Sequence, residues 1–133
     1  MSSFTLLVGR IGLALIFILS GIGKITAYAA TAKLLVAGGL PGGLLPFLIC
    51  VELGGGLLIV SGAFTRWAAV VLCLYTLIVA VHFHGSVAAT GEWDHFMQNI
   101  AIAGGFLVLA AAGPGGLSID AWRGRRKQRK LFF

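Results

Sequence analysis

A single carboxylate constrains this chain more than any other residue. Between Leu44 and Phe64 the only ionisable side chains are Glu52 and the weakly acidic thiol of Cys50, and three glycines, Gly54 to Gly56, follow almost at once. As a helix, at ~1.5 Å per residue, such a run spans ~30 Å, the thickness of a bilayer's hydrocarbon core. A charge at that depth costs at least ~2.5 kcal/mol on insertion scales, so Glu52 must face protein or a wet cavity.

The rest of the composition agrees with a membrane setting. Of 133 residues, 59% are apolar and 11% charged, and the mean hydropathy of +1.01 lies outside the soluble range. The length allows one domain. The net charge of +6 is not spread over a surface, because six of the ten basic residues lie between Arg123 and Lys130. A terminal basic block beside a span marks the cytoplasmic side and touches anionic headgroups. No aromatic interleaving accompanies it, so nucleic acid is not an expected partner. Cys50 and Cys73 sit in apolar runs without metal-ligand spacing and read as two small buried residues. The first apolar run is too long for a signal-peptide core and reads as a retained helix.

In chain order, the pattern predicts an all-α integral membrane protein, a four-helix transmembrane bundle with spans at about 4–25, 44–64, 67–83 and 97–112. Ser2 and Ser3 offer caps for the first span, and Gly21 and Gly23 offer a small-residue face. Tyr28 to Val36 reads as a short interfacial helix before a glycine-proline turn. Pro46 suits the start of the second span, and Phe64-Thr65-Arg66-Trp67 reads as the turn that closes it. A polar loop from Gly85 to His95 carries Glu92 and Asp94. Gly113-Pro-Gly-Gly116 stops the fourth span, Ser118 to Asp120 caps a short stub, and a basic tail, residues 122–133, follows the 1–121 membrane domain. Four spans return both termini to one side, which the basic tail and Arg66 make cytoplasmic; Lys24 and Lys33 count against this orientation.

Depth sorts the polar residues into two groups. Arg10, ~10 Å into the first span, is expected to neutralise Glu52 on an antiparallel neighbour; a snorkelling end charge is the alternative. Lys24, His82, His84, Gln98 and Asn99 gather at the outer span ends. His82 and His84 diverge by about 200 degrees on a helix, which argues against a metal site, and no facing histidine offers haem ligation. One of the two is expected at the bundle mouth as a donor or proton carrier. Dinucleotide, Walker and triad signatures are missing.

Taken in order, Phe17 to Lys24, Leu40-Pro41, Glu52 to Gly56, Phe64-Thr65-Arg66, Phe83-His84, Asn99 with Gly104-Gly105, Gly113-Pro-Gly115 and Ser118 to Asp120 resemble the DoxX family. The resemblance implies a small four-helix protein of the bacterial inner membrane, an oxidoreductase or quinol-oxidase-like subunit. Relatives often carry Lys where this chain has Gln98, and the long basic tail goes beyond the usual pattern. The expected role is therefore a quinone-interacting subunit or membrane anchor of a redox system, embedded in the lipid bilayer with redox protein partners and a possible homo-oligomeric state. Glu52 and His84 are the candidates for proton transfer, and Arg10, Lys24, Asn99 and Gln98 for ligand binding. A quinone is the expected cofactor, without metal or haem. Two rivals remain: a small proton-coupled transporter using Glu52, and a non-catalytic anchor that recruits soluble oxidoreductases.

Overall fold

The computed structural model describes residues 2–84 and 92–131, and every regular element among them is helical. The elements are α1 (Ser3–Thr26), α2 (Tyr28–Ala37), a 3-10 turn (Gly42–Leu44), α3 (Leu45–Ser61), α4 (Thr65–His84), α5 (Glu92–Ala112) and α6 (Ile119–Leu131). Four stretches, Ser3–Thr26, Gly42–Ser61, Thr65–Phe83 and Trp93–Ala112, are long and apolar enough to cross a membrane. The protein is an all-α transmembrane four-helix bundle, with α2 as a short apolar helix beside it.

α1 and α3 each bury a narrow seam at alternating four- and three-residue steps, the spacing that keeps one helix face on its neighbours. On α1 the seam is Arg10, Ala14, Phe17 and Gly21; on α3 it is Leu45, Ile49, Glu52, Gly56 and Ile59. Leu19, Leu57, Leu74 and Leu107 point outward and are exposed, as a lipid-facing surface requires. α1 packs chiefly on α3 and α4 on α5, and α3 joins the two pairs through α4. The core between the pairs holds Phe17, Leu72, Cys73 and Phe106, and the Phe17 and Phe106 rings meet edge to face at 5.4 Å.

Glycine sets how closely the α1–α3 pair approaches. A Cβ at Gly21 would lie 2.6 Å from Leu53 Cγ, and one at Gly56 would lie 2.8 Å from Ile18 Cγ1 and 3.3 Å from the Ala14 carbonyl oxygen.

Several boundaries differ from the sequence reading. α3 stops at a left-handed Gly62 (φ 71), so Thr65, Arg66 and Trp67 form the first turn of α4 instead of the loop. α5 begins at Glu92, which makes Glu92, Asp94 and His95 helical; residues 85–91 of the expected loop lie outside the described residues. The basic block is helical within α6, a 13-residue element longer than a stub. Cys50 is exposed on α3, contrary to the expected burial, whereas Cys73 is buried; both thiols are free.

Hydrogen bonds identify the two ends of the bundle. Ser2 Oγ accepts from Phe4 N at 3.3 Å and starts α1, and Gly116 N donates to Ser3 Oγ at 3.1 Å. The chain's two terminal regions therefore share one end, called the terminal end below; α2 sits at the opposite end.

Candidate functional site

Toward the opposite end, three spans each contribute a polar side chain to one buried cluster. Glu52, 3% exposed, comes from the seam of α3. Lys24 in the last turn of α1 donates from Nζ to both carboxylate oxygens, at 2.9 and 3.0 Å, and to Ser20 Oγ at 2.7 Å. The Tyr75 hydroxyl of α4 donates to Glu52 Oε1 at 2.5 Å, and its ring meets Phe17 edge to face. Ser20 and Lys24 are one helical turn apart, so the serine steadies the ammonium from beneath. Both carboxylate oxygens are satisfied by side chains, while the Lys24 side chain stays 23% exposed.

Asn99 of α5 lies seven residues from Phe106, as Lys24 lies seven from Phe17. On the antiparallel α1 and α5 this brings Asn99 and Lys24 to similar depth, ~10 Å beyond the Phe17–Phe106 edge-to-face pair. Asn99 is half-buried, and its carboxamide has no hydrogen-bond partner among the described residues. Gln98 is exposed. His82 is exposed and donates from Nε2 to the Gly38 carbonyl at 2.8 Å, tying α4 to the end of α2. His84 ends α4; its side chain lies outside what the structure describes.

Arg10 does not pair with Glu52. The two stand ~10 Å from opposite ends of antiparallel helices, so a ~30 Å bundle leaves them a further ~10 Å apart along its axis. Arg10 is nevertheless 1% exposed and belongs to the terminal end. Its Nη1 donates to the carbonyls of Pro114 and Leu117, the latter at 3.0 Å, and its Nη2 to Val60 at 2.9 Å. The guanidinium thus gathers the glycine-proline turn after α5 onto the end of α3.

Asp120 completes that clasp. Its oxygens accept from Phe64 N at 2.9 Å and Thr65 N at 3.0 Å, capping the first turn of α4. Phe64 has φ 48, an uncommon conformation for a non-glycine residue, and the carboxylate bonds it directly. Burial pushes the Asp120 carboxyl up, but the Thr65 and Phe64 amides and the Arg123 charge outweigh burial and hold it below its ordinary value. Ser118, the expected cap, accepts from Ala121 N at 3.1 Å and starts α6; Asp120 caps a different helix.

Tyr75 is the member that sequence reasoning missed. A lone phenol in an otherwise uniform apolar span was the available signal, because a buried tyrosine hydroxyl needs a partner. Among the described residues no cluster of histidine, cysteine and carboxylate side chains has metal-binding geometry.

The DoxX family model matches residues 5–85, a stretch containing Lys24, Glu52 and Tyr75. The chain is 46% identical over 114 residues to "Inner membrane protein YqjF" of Escherichia coli (strain K12), covering 86% of this chain and 88% of that protein. It is 39% identical over 122 residues to "Inner membrane protein YphA" of the same organism, covering 86% and 87% respectively. No solved structure matches.

Proposed function

The chain belongs to the DoxX family and is a multi-pass inner-membrane protein, and from that premise we propose that its Lys24–Glu52–Tyr75 cluster receives a quinone head group, as part of a membrane redox system. One observation carries the reading: a carboxylate inside the membrane is held by an ammonium and a phenol, at a depth that the half-buried Asn99 carboxamide shares. A quinone supplies two-electron, two-proton chemistry. The donor set suits its carbonyl oxygens, since Asn99, Lys24 and Tyr75 all carry N–H or O–H groups. Glu52 is the proton-holding group: Tyr75 bonds only Oε1 whereas Lys24 bonds both oxygens, so release of Lys24 frees Oε2 to take a proton. Arg10 and Gln98 drop out of the proposed binding set, Arg10 by its distance and Gln98 by its exposure. The transporter alternative is weaker, because the Lys24 ammonium already occupies the position that a cationic substrate would need.

The terminal end is proposed to face the cytoplasm. The six basic residues support this, and Lys24, committed to Glu52, no longer counts as a contrary loop charge. Single cysteines at Lys33 and Arg125 in a Cys-free background test it, with an impermeant reagent on intact cells reaching only the former; labelling of Arg125→Cys alone reverses the orientation.

Isothermal titration of short-chain ubiquinone and menaquinone analogues tests the head-group site. Saturable binding is expected, weakened about tenfold or more by Asn99→Ala, since a lost hydrogen bond leaves polar groups unpaired. A folded sample that binds neither analogue contradicts the proposal.

A further inference from the structure

A second feature lies on the other side of α3, at the terminal end. Cys50, Val51, Gly54, Gly55 and Leu58 of α3 face Phe64, Trp67, Ala68 and Val71 across an apolar groove of about 330 Å³. From Cys50 to Leu58 it descends ~12 Å, close to the ~15 Å depth of a single leaflet. Gly54 is open here, and a Cβ built on it would meet nothing within 4 Å. Trp67 and Phe64, 75% and 59% exposed, flank the groove toward the terminal end, at headgroup level.

The basic helix begins at that same end. Asp120 fixes the first turn of α6 to the Phe64 and Thr65 amides, so the position of α6 relative to the groove is set by hydrogen bonds. The Arg123 guanidinium carbon then lies 5.3 Å from the centroid of the Phe64 ring, a groove-lining residue. Arg126 stacks 4.1 Å over Trp122, one helical turn further. A guanidinium on an aromatic face keeps its edge N–H groups free to fork onto phosphate oxygens.

We propose that the α3–α4 groove and the Arg123–Arg126 face together form a binding site for one anionic phospholipid of the adjoining leaflet. One acyl chain lies in the groove and the phosphate is held by the two arginines. The positive charge at the head of an apolar channel of leaflet depth is what selects this occupant over a neutral lipid. Arg125, Lys127 and Arg129 add diffuse attraction without the groove.

Native mass spectrometry of the full chain released from detergent, titrated with dioleoyl phosphatidylglycerol or dioleoyl phosphatidylcholine, tests this. One phosphatidylglycerol per chain is expected, retained about tenfold or more over phosphatidylcholine. Arg123→Gln with Arg126→Gln should abolish the preference, whereas Lys127→Gln with Arg129→Gln, an equal loss of charge, should keep it. Gly54→Leu should fill the groove and release the lipid with every charge intact. Equal losses from the Arg123/Arg126 and Lys127/Arg129 pairs would reduce the effect to polybasic attraction and overturn the site. So would unchanged retention in Gly54→Leu, equal binding of the two lipids, or a quinone or a second chain as the species that Gly54→Leu removes.

Discussion

Arg10 is buried near the terminal end and Lys24 partly buried near the other, and the two are held in opposite ways. Arg10 is held by backbone carbonyls of the α3 end and of the turn after α5, groups that cannot leave without unmaking the fold. Lys24 is held by two side chains, Ser20 and Glu52, and Glu52 in turn by Tyr75. Side-chain partners can rotate away and return. A charge bound by backbone is therefore a structural fastener, whereas one bound by side chains has partners that can exchange, as the proposed head-group site requires.

The largest expected effect breaks the fastener. Arg10→Met leaves the carbonyls of Val60, Pro114 and Leu117 without their donor, and hydrogen bonds to charged groups are worth ~1.5–3 kcal/mol each. A loss of at least ~3 kcal/mol is expected in thermal unfolding in detergent, and Arg10→Lys should recover only part of it, since one ammonium cannot reproduce the fork. Wild-type stability in Arg10→Met would erase the distinction between the ends.

The next effect sharpens the comparison at the other end. Glu52→Gln or Lys24→Met alone strands a charge, at a cost of ~3 kcal/mol or less given the partial exposure of Lys24. The double variant should recover much of that, while Arg10→Met with Glu52→Gln should simply add. Additivity for Lys24 with Glu52 would mean that the two do not interact.

A smaller effect concerns Asp120. Asp120→Asn weakens the cap on α4 by about 1 kcal/mol. Because the folded carboxyl titrates below its ordinary value near ~3.9, its contribution is fully present above that value and lost as the pH falls through the depressed one. Wild type should therefore approach Asp120→Asn in stability at acid pH; a difference independent of pH would remove the carboxylate from the account.

Much of this was legible in the residues. Apolar runs of bilayer length fix four spans, Pro46 and Gly113 mark where helices start and stop, and Glu52 announces a buried polar site. The partner of Glu52 is misassigned in the sequence reading, although the ~10 Å left between Glu52 and Arg10 along the axis already argues against that pair. Arg10 and Lys24 both suited a buried carboxylate, and the antiparallel register that sets Gly21 beside Leu53 and Gly56 beside Ile18 decides for Lys24. In the sequence Asp120 reads as a local cap, but its partners lie 55 and 56 residues away across a turn whose left-handed Gly62 no periodicity displays. Tyr75 was hidden because a tyrosine in an apolar run looks like packing until its hydroxyl has a partner.

The most direct test of an exchangeable end against a fixed one is photolabelling with an azidoquinone in native membranes, followed by peptide mapping. Labelling is expected on α1, α4 and α5 near Lys24, Tyr75 and Asn99, displaced by unlabelled quinone and lost in the Lys24→Met, Glu52→Gln double variant. Label confined to the α3–α4 groove between Cys50 and Val71, or label at Lys24 that unlabelled quinone does not displace, would contradict it.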